Sequence, residues 1–284
     1  MLVTLQKFIL PLALVTSFYC LELHAAEITS EVDDSLRVTN VKSAAVSAAP
    51  IDIKYNIHES ISSEWTTEFN VIMGNLLAII PAKKNVFDTL NVYAWNGKVE
   101  DPFAGVNGGA YVGGPPSDKI MVLEIPENEF LFQDMHRYSV IAHEYFHVYQ
   151  LSLNKPMNRP NGTFDPDGFD IKWLIEGTAA YFESVYIQEY YKDDYLGNSQ
   201  ANINEKVHSN PSVYESYGSN GPDDRNYGSS VFITLALAKE LISKGFTEEV
   251  AFRMIYKDFM LTGATNTNWK SHFFDVFGIA VDDF

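Results

Sequence analysis

The chain has 284 residues, enough for one sizeable core or two small subdomains around a shared cleft. Hydrophobic residues make up 46% and charged residues 20%, a balance that argues against both a disordered chain and a multi-span membrane protein. A formal charge of −17 disfavours a nucleic-acid partner, which needs clustered Lys and Arg, and the single cysteine, Cys20, excludes a disulfide framework, cysteine catalysis and a Cys-rich zinc site.

Residues 1–26 carry Lys7, an apolar run from Phe8 to Tyr19 and then Leu23-His24-Ala25-Ala26, the pattern of a signal peptide; the rival is an uncleaved signal anchor. Cleavage would give a secreted or periplasmic protein with no stable membrane association and would remove Cys20. Residues 27–50, closing on Ser43-Ala44-Ala45-Val46-Ser47-Ala48-Ala49-Pro50, read as a linker, which leaves 51–284 as the domain.

Ser62 opens a pattern in which Trp65, Phe69, Ile72, Leu76 and Ile80 recur at helical spacing until Pro81. Leu90, Val92 and Ala94 then alternate as a strand up to the Asn96-Gly97 turn. A glycine-rich stretch, Gly108 to Pro116, leads into a second strand, Lys119–Ile125, closed by Pro126. No Gly-Lys-Ser or Gly-Lys-Thr follows those glycines, so they are not a phosphate loop.

Met135 to Leu153 reads as a helix apolar on almost every side, and Asp170 is placed to cap another running from Ile171 to about Tyr190. A polar stretch containing His208 and several tyrosines follows. A helix from Ser229 to Lys244 is ended by Gly245, Thr247 caps another through Phe259, and Asn268 caps a last one with Trp269, Phe273 and Phe277 on one face. The fold class is α+β, with a mixed first half and a helical second half.

The chemistry sits on the two apolar helices. His143-Glu144-Tyr145-Phe146-His147 is an H-E-x-x-H pattern, which puts two imidazoles one turn apart on one helix face with a carboxylate beside them. Burying two His and a Glu among Val140, Ile141, Ala142, Val148 and Leu151 is costly without partners, and zinc, which favours neutral imidazole, supplies them. A catalytic zinc needs a third protein ligand. A metzincin would carry Gly and His where this chain has Gln150 and Leu153, and an Asp-type third ligand would fall at Tyr181, so both patterns fail. Glu176, 176 − 147 = 29 residues after His147, is an acid in an apolar run, and Gly177, Ala179 and Ala180 beside it allow close helix approach. Its alternative partner is Lys172, four residues back.

The two segments, His143 to His147 and Trp173 to Glu183, resemble the gluzincin peptidases, in particular the peptidase MA-like group and the aminopeptidase N family. Tyr227-Gly228-Ser229-Ser230-Val231-Phe232 and the ending from Phe277 extend the likeness over roughly residues 60–284. The resemblance implies a zincin-like fold: a mixed subdomain with a small sheet, an active-site helix and a C-terminal helical subdomain. It implies an edge strand over that helix, with Lys119–Ile125 as the candidate. It further implies one Zn2+ per chain held by His143, His147 and Glu176, Glu144 as general base, and a peptide or protein substrate. Tyr227 is the candidate oxyanion donor, with Tyr214, Tyr217 and His208 as rivals. Glu183, seven residues after Glu176, is either an orienter of a ligand or an ordinary helix-surface acid, and His136 reads as a surface or capping group.

One departure bears on specificity. The Gly-x-Met-Glu-Asn segment by which aminopeptidase N enzymes hold a substrate amino terminus is missing, with only Glu127-Asn128 as a fragment. Endopeptidase and exopeptidase action stay open. Two other readings use the same ligands: a zinc-bearing binding module without catalysis, and a zinc hydrolase of a non-peptide amide or ester.

Overall fold

The computed structural model describes residues 49–158, 165–217 and 225–284. The expected signal peptide and all of the expected linker but Ala49 and Pro50 lie outside the described residues. Those two are already tied to the domain, since Lys84 N–H donates to the Ala49 carbonyl at 2.9 Å.

The mixed half is a four-stranded sheet of order β1-β2-β4-β3, made of β1 (Asp52–Ile57), β2 (Thr89–Asn96), β3 (Ala110–Gly113) and β4 (Lys119–Ile125). β1, β2 and β4 run parallel, and β3 is an antiparallel edge. Parallel neighbours need a crossover, and α1 (Ser63–Ile79) provides it between β1 and β2. Ser62 caps α1 by accepting from Trp65 N–H, and Trp65, Phe69, Ile72 and Leu76 are buried, as the periodicity requires.

Alternation along the strands separates two faces. Leu90, Val92, Ala94, Met121, Leu123 and Ile125 join the main core, while Trp95 and Val122 pack with Val106, Tyr93, Phe103 and Tyr111 on the other face. Lys119–Ile125 is therefore not the edge strand expected. Its near-continuous apolar run, Ile-Met-Val-Leu, belongs to the buried interior of a parallel sheet, and the short, glycine-flanked Ala110–Gly113 takes the edge.

Beyond the sheet come α2 (Glu127–Leu131), α3 (His136–Leu153), α4 (Lys172–Tyr191), α5 (Tyr195–Ser199), α6 (Lys206–Ser209), α7 (Arg225–Ser243), α8 (Glu248–Arg253) and α9 (Trp269–Phe277). α3 lies against α1, β3, β4 and α4, so apolar side chains all around it have somewhere to go. α4 packs between α3 and α7. Gly177 makes the second contact possible: a Cβ there would stand 2.4 Å from the Ser230 carbonyl oxygen and 2.7 Å from Thr234 Oγ1. The C-terminal turns close the core through rings, with Tyr181 stacked on Phe252 at 5.1 Å and Phe146 edge-on to Tyr256 at 5.2 Å.

Two caps differ from expectation. Ile171, in extended geometry, takes the N-cap position of α4 without a side-chain bond, because Asp170 stands one residue too early. Asn268 makes no cap bond on α9; its Oδ1 accepts from Thr265 N–H at 2.7 Å. Thr247 does cap α8, accepting from Val250 N–H. No described helix is long and apolar enough to cross a membrane.

Candidate metal centre

α3 brings His143 and His147 together one turn apart, with their Nε2 atoms 3.1 Å from each other. α4 crosses above them and presents Glu176, whose Oε2 lies 3.3 Å from each Nε2. Three donor atoms thus converge with mutual separations of 3.1 to 3.3 Å. For a tetrahedral ion with ligands at about 2.0–2.1 Å, the spacing between ligands is about 3.3–3.4 Å. The cluster is the size of a zinc site, and these three residues could hold a metal ion.

Glu144 sits on the same helix, buried at 6% exposure, and its Oε2 has no hydrogen-bond partner among the described residues. Burial raises its pKa; the two histidines oppose the rise and the neighbouring Glu176 and Glu183 add to it. Burial likewise pushes Glu176 up, but His147 and His143 outweigh it and hold the carboxyl well below its usual range. On His143 burial works against the charge, yet Glu183, Glu176 and Glu144 prevail and raise it well above an ordinary histidine.

The candidate ligands are themselves held. Glu183 Oε2 lies 3.3 Å from His143 Nδ1, and its Oε1 accepts from Gln200 Nε2 at 3.0 Å. Of the two readings of Glu183, this geometry matches the orienter. Gln150 Oε1 lies 2.8 Å from His147 Nδ1. In sequence Gln150 stands out only as the residue that breaks the metzincin pattern; the signal of its role is a polar residue three positions after His147 on a buried face. Lys172 stands over the rings of Tyr217 and Tyr227 at 5.9 and 6.0 Å. His136, the first residue of α3, faces Glu129 of α2 with Nδ1 2.8 Å from Oε1 and is not one of the three converging residues.

The centre opens into a cleft of ≈ 240 Å³ bordered by Ala110, Tyr111 and Val112 of β3 on one side and by Asp170, Tyr217 and Tyr227 on the other. The candidate oxyanion donors separate here. Tyr217 donates its hydroxyl to Glu176 Oε1 at 2.7 Å. Tyr227 lines the cleft with its ring 5.9 Å from that of His143 and is 40% exposed. It lies inside the first turn of α7 rather than before the helix, since α7 begins at Arg225 and not at Ser229. Tyr214 is fully buried and His208 packs edge-on to Phe232, and neither borders the cleft.

A helix bearing two histidines one turn apart, joined by a glutamate from the next long helix, is an arrangement that could hold a metal ion, as metallopeptidase centres do. The family model described as M61 glycyl aminopeptidase, a zinc metallopeptidase family, matches residues 136–217, from the first residue of α3 to Tyr217. The resemblance to zinc metallopeptidases therefore covers all three candidate ligands, Glu144 and Glu183. No curated protein matches the chain, and no solved structure does.

Proposed function

We propose that this protein is a zinc-dependent peptidase of zincin-like fold, with His143, His147 and Glu176 as metal ligands and Glu144 as general base. The observation that carries the reading is the convergence of the three donor atoms beside the buried carboxylate of Glu144, whose Oε2 has no partner among the described residues. Zinc at such a site acidifies a water molecule and polarises a peptide carbonyl.

Glu144 is the base in this reading. Burial raises the proton affinity of its carboxylate, which suits a group that takes a proton from water and returns it to the departing amine. Tyr227, on the cleft wall beside His143, is the proposed donor to the carbonyl oxygen as charge gathers on it. Tyr217, with its hydroxyl engaged by Glu176, holds the ligand carboxylate instead. The β3 edge supports an extended peptide substrate, whose main chain can pair with a strand edge. We also propose that residues 1–26 direct export and that the mature chain begins near Ala26 or Glu27, which N-terminal sequencing of native material tests.

The deciding experiment digests a peptide library with purified protein, zinc-loaded and after chelation, using free and N-acetylated peptides. Chelator-sensitive cleavage supports the peptidase reading. Loss of cleavage on acetylation assigns the action to a free amino terminus, in line with the matched family's description. Zinc-loaded protein that binds peptides but cleaves none, and is indifferent to Glu144→Gln, supports the non-catalytic module.

A further inference from the structure

Gln150 lies on α3, fully buried, and its side-chain amide touches three groups. One end faces His147 Nδ1 at 2.8 Å; the other faces the Ile175 carbonyl at 3.2 Å and Thr178 Oγ1 at 2.8 Å, both on α4. A carbonyl oxygen can only accept, so the amide must turn its NH2 toward α4. Thr178 agrees, because its own hydroxyl already donates to the Leu174 carbonyl at 2.7 Å. The amide oxygen is thereby committed to His147. An amide oxygen only accepts, so Nδ1 of His147 must carry the hydrogen, and Nε2 is the nitrogen that turns toward His143 and Glu176.

We propose that Gln150 is a positioning residue of the metal centre: one amide fixes which nitrogen of His147 faces the ion and ties α3 to the turn of α4 that carries Glu176. The proposal rests on the metal-site reading above. Glu176 lies between Ile175 and Thr178, so the same side chain that orients one ligand also holds α4 on both sides of another, by the Ile175 carbonyl before it and the Thr178 hydroxyl after it. The two imidazoles have unlike partners, a carboxylate for His143 and an amide for His147. A neutral partner suits the second position. Glu144, Glu176 and Glu183 already crowd the centre, and another carboxylate would add repulsion without adding a donor to α4.

The test uses the full chain with 15N-labelled histidine, as metal-free and zinc-loaded protein, in wild type, Gln150→Met and Gln150→Glu. Met keeps the volume and removes both hydrogen-bonding ends, whereas Glu keeps the acceptor and loses the donors. Wild type should show a slowly exchanging Nδ1–H signal from His147 in both states. Gln150→Met should lose that signal and bind zinc about 10- to 100-fold more weakly in competition with a chelating dye. Gln150→Glu should keep the signal and bind zinc at least about threefold better than the Met variant. Retention of the signal in Gln150→Met, or equal zinc loss in both variants, overturns the proposal. Should the Met variant not fold, disappearance of the signal in Gln150→Glu overturns it. Wild-type protein that takes up no zinc sinks the metal-site reading itself, and the metal-free spectra still decide whether Gln150 fixes His147.

Discussion

Tyr217 and Glu176 are joined by a hydrogen bond of 2.7 Å from the tyrosine hydroxyl to Oε1, while Oε2 of the same carboxylate faces both histidines. The bond divides the labour between the two tyrosines of the cleft. Tyr217→Phe should mainly weaken zinc binding, on the order of tenfold, by freeing the carboxylate to rotate. Tyr227→Phe should instead cut kcat roughly a hundredfold with KM and zinc content little changed, as for a donor used only in the transition state. Steady-state kinetics with metal analysis on both variants separates the roles, and the reverse pattern would exchange them.

Glu144→Gln should leave fold and metal in place and abolish hydrolysis, because an amide cannot take up the water's proton at neutral pH. Removing the charge from a buried carboxylate whose Oε2 has no partner among the described residues also lifts a desolvation cost. The variant should therefore melt at or above the wild-type temperature while showing no turnover. Residual turnover within about tenfold of wild type contradicts the base assignment.

Glu183→Gln keeps an acceptor toward His143 but removes the charge 3.3 Å from Nδ1. Zinc affinity should fall about 10- to 100-fold, as for other partners of ligating histidines. Competition titration against a chelator measures it, and unchanged affinity would return Glu183 to a packing role.

Gly177→Ala tests the helix contact behind the ligand. The added Cβ meets the Ser230 carbonyl oxygen at 2.4 Å, and backbone cannot swing aside as a side chain can. The variant should lose about 1–3 kcal/mol in urea unfolding, and α4 should shift enough to weaken zinc binding as well. A neutral substitution would mean that α4 and α7 separate at little cost.

Lys119 gives the pH prediction. It is 2% exposed, donates to the Gly114 carbonyl, and burial pushes its pKa down to about 8 from an ordinary 10.5. Between those values the unfolded chain binds more protons than the folded one, so stability from this group rises with pH across that window and is flat below it. Wild type should gain on Lys119→Met as pH climbs from about 8 to about 10.5 in urea unfolding. A gain that runs the other way, or none, contradicts the buried-charge account.

Much of the site was legible because its residues report on themselves. His143, Glu144 and His147 form a contiguous pattern, and Glu176 stands out as an acid among Leu174, Ile175, Gly177 and Ala179. Helices with clean apolar spacing, such as the one begun by Ser62, could be read for the same reason. The sheet was harder. β1 is weakly signalled although Ile53, Tyr55 and Ile57 alternate, because its stretch is polar and brief and its partner β2 is more than thirty residues away. Which strand lies at the edge depends on pairing, which no local pattern encodes. Gln150 and Tyr217 share that limit: their roles arise only when α3, α4 and the segment ending at residue 217 come together in space.

The shortness of β3 has a consequence for what a peptidase of this shape can attack. Four residues of strand span about 13 Å, and main-chain pairing along them takes no account of side chains. Such an edge selects for conformation before it selects for sequence: a segment must first be pulled straight and stripped of its own hydrogen bonds to lie there. On the proposed reading, helices and packed sheets would be excluded until they open locally, and the susceptible population would be set by the substrate's unfolding equilibrium. Tails, linkers and damaged chains would be consumed while intact folded neighbours are spared.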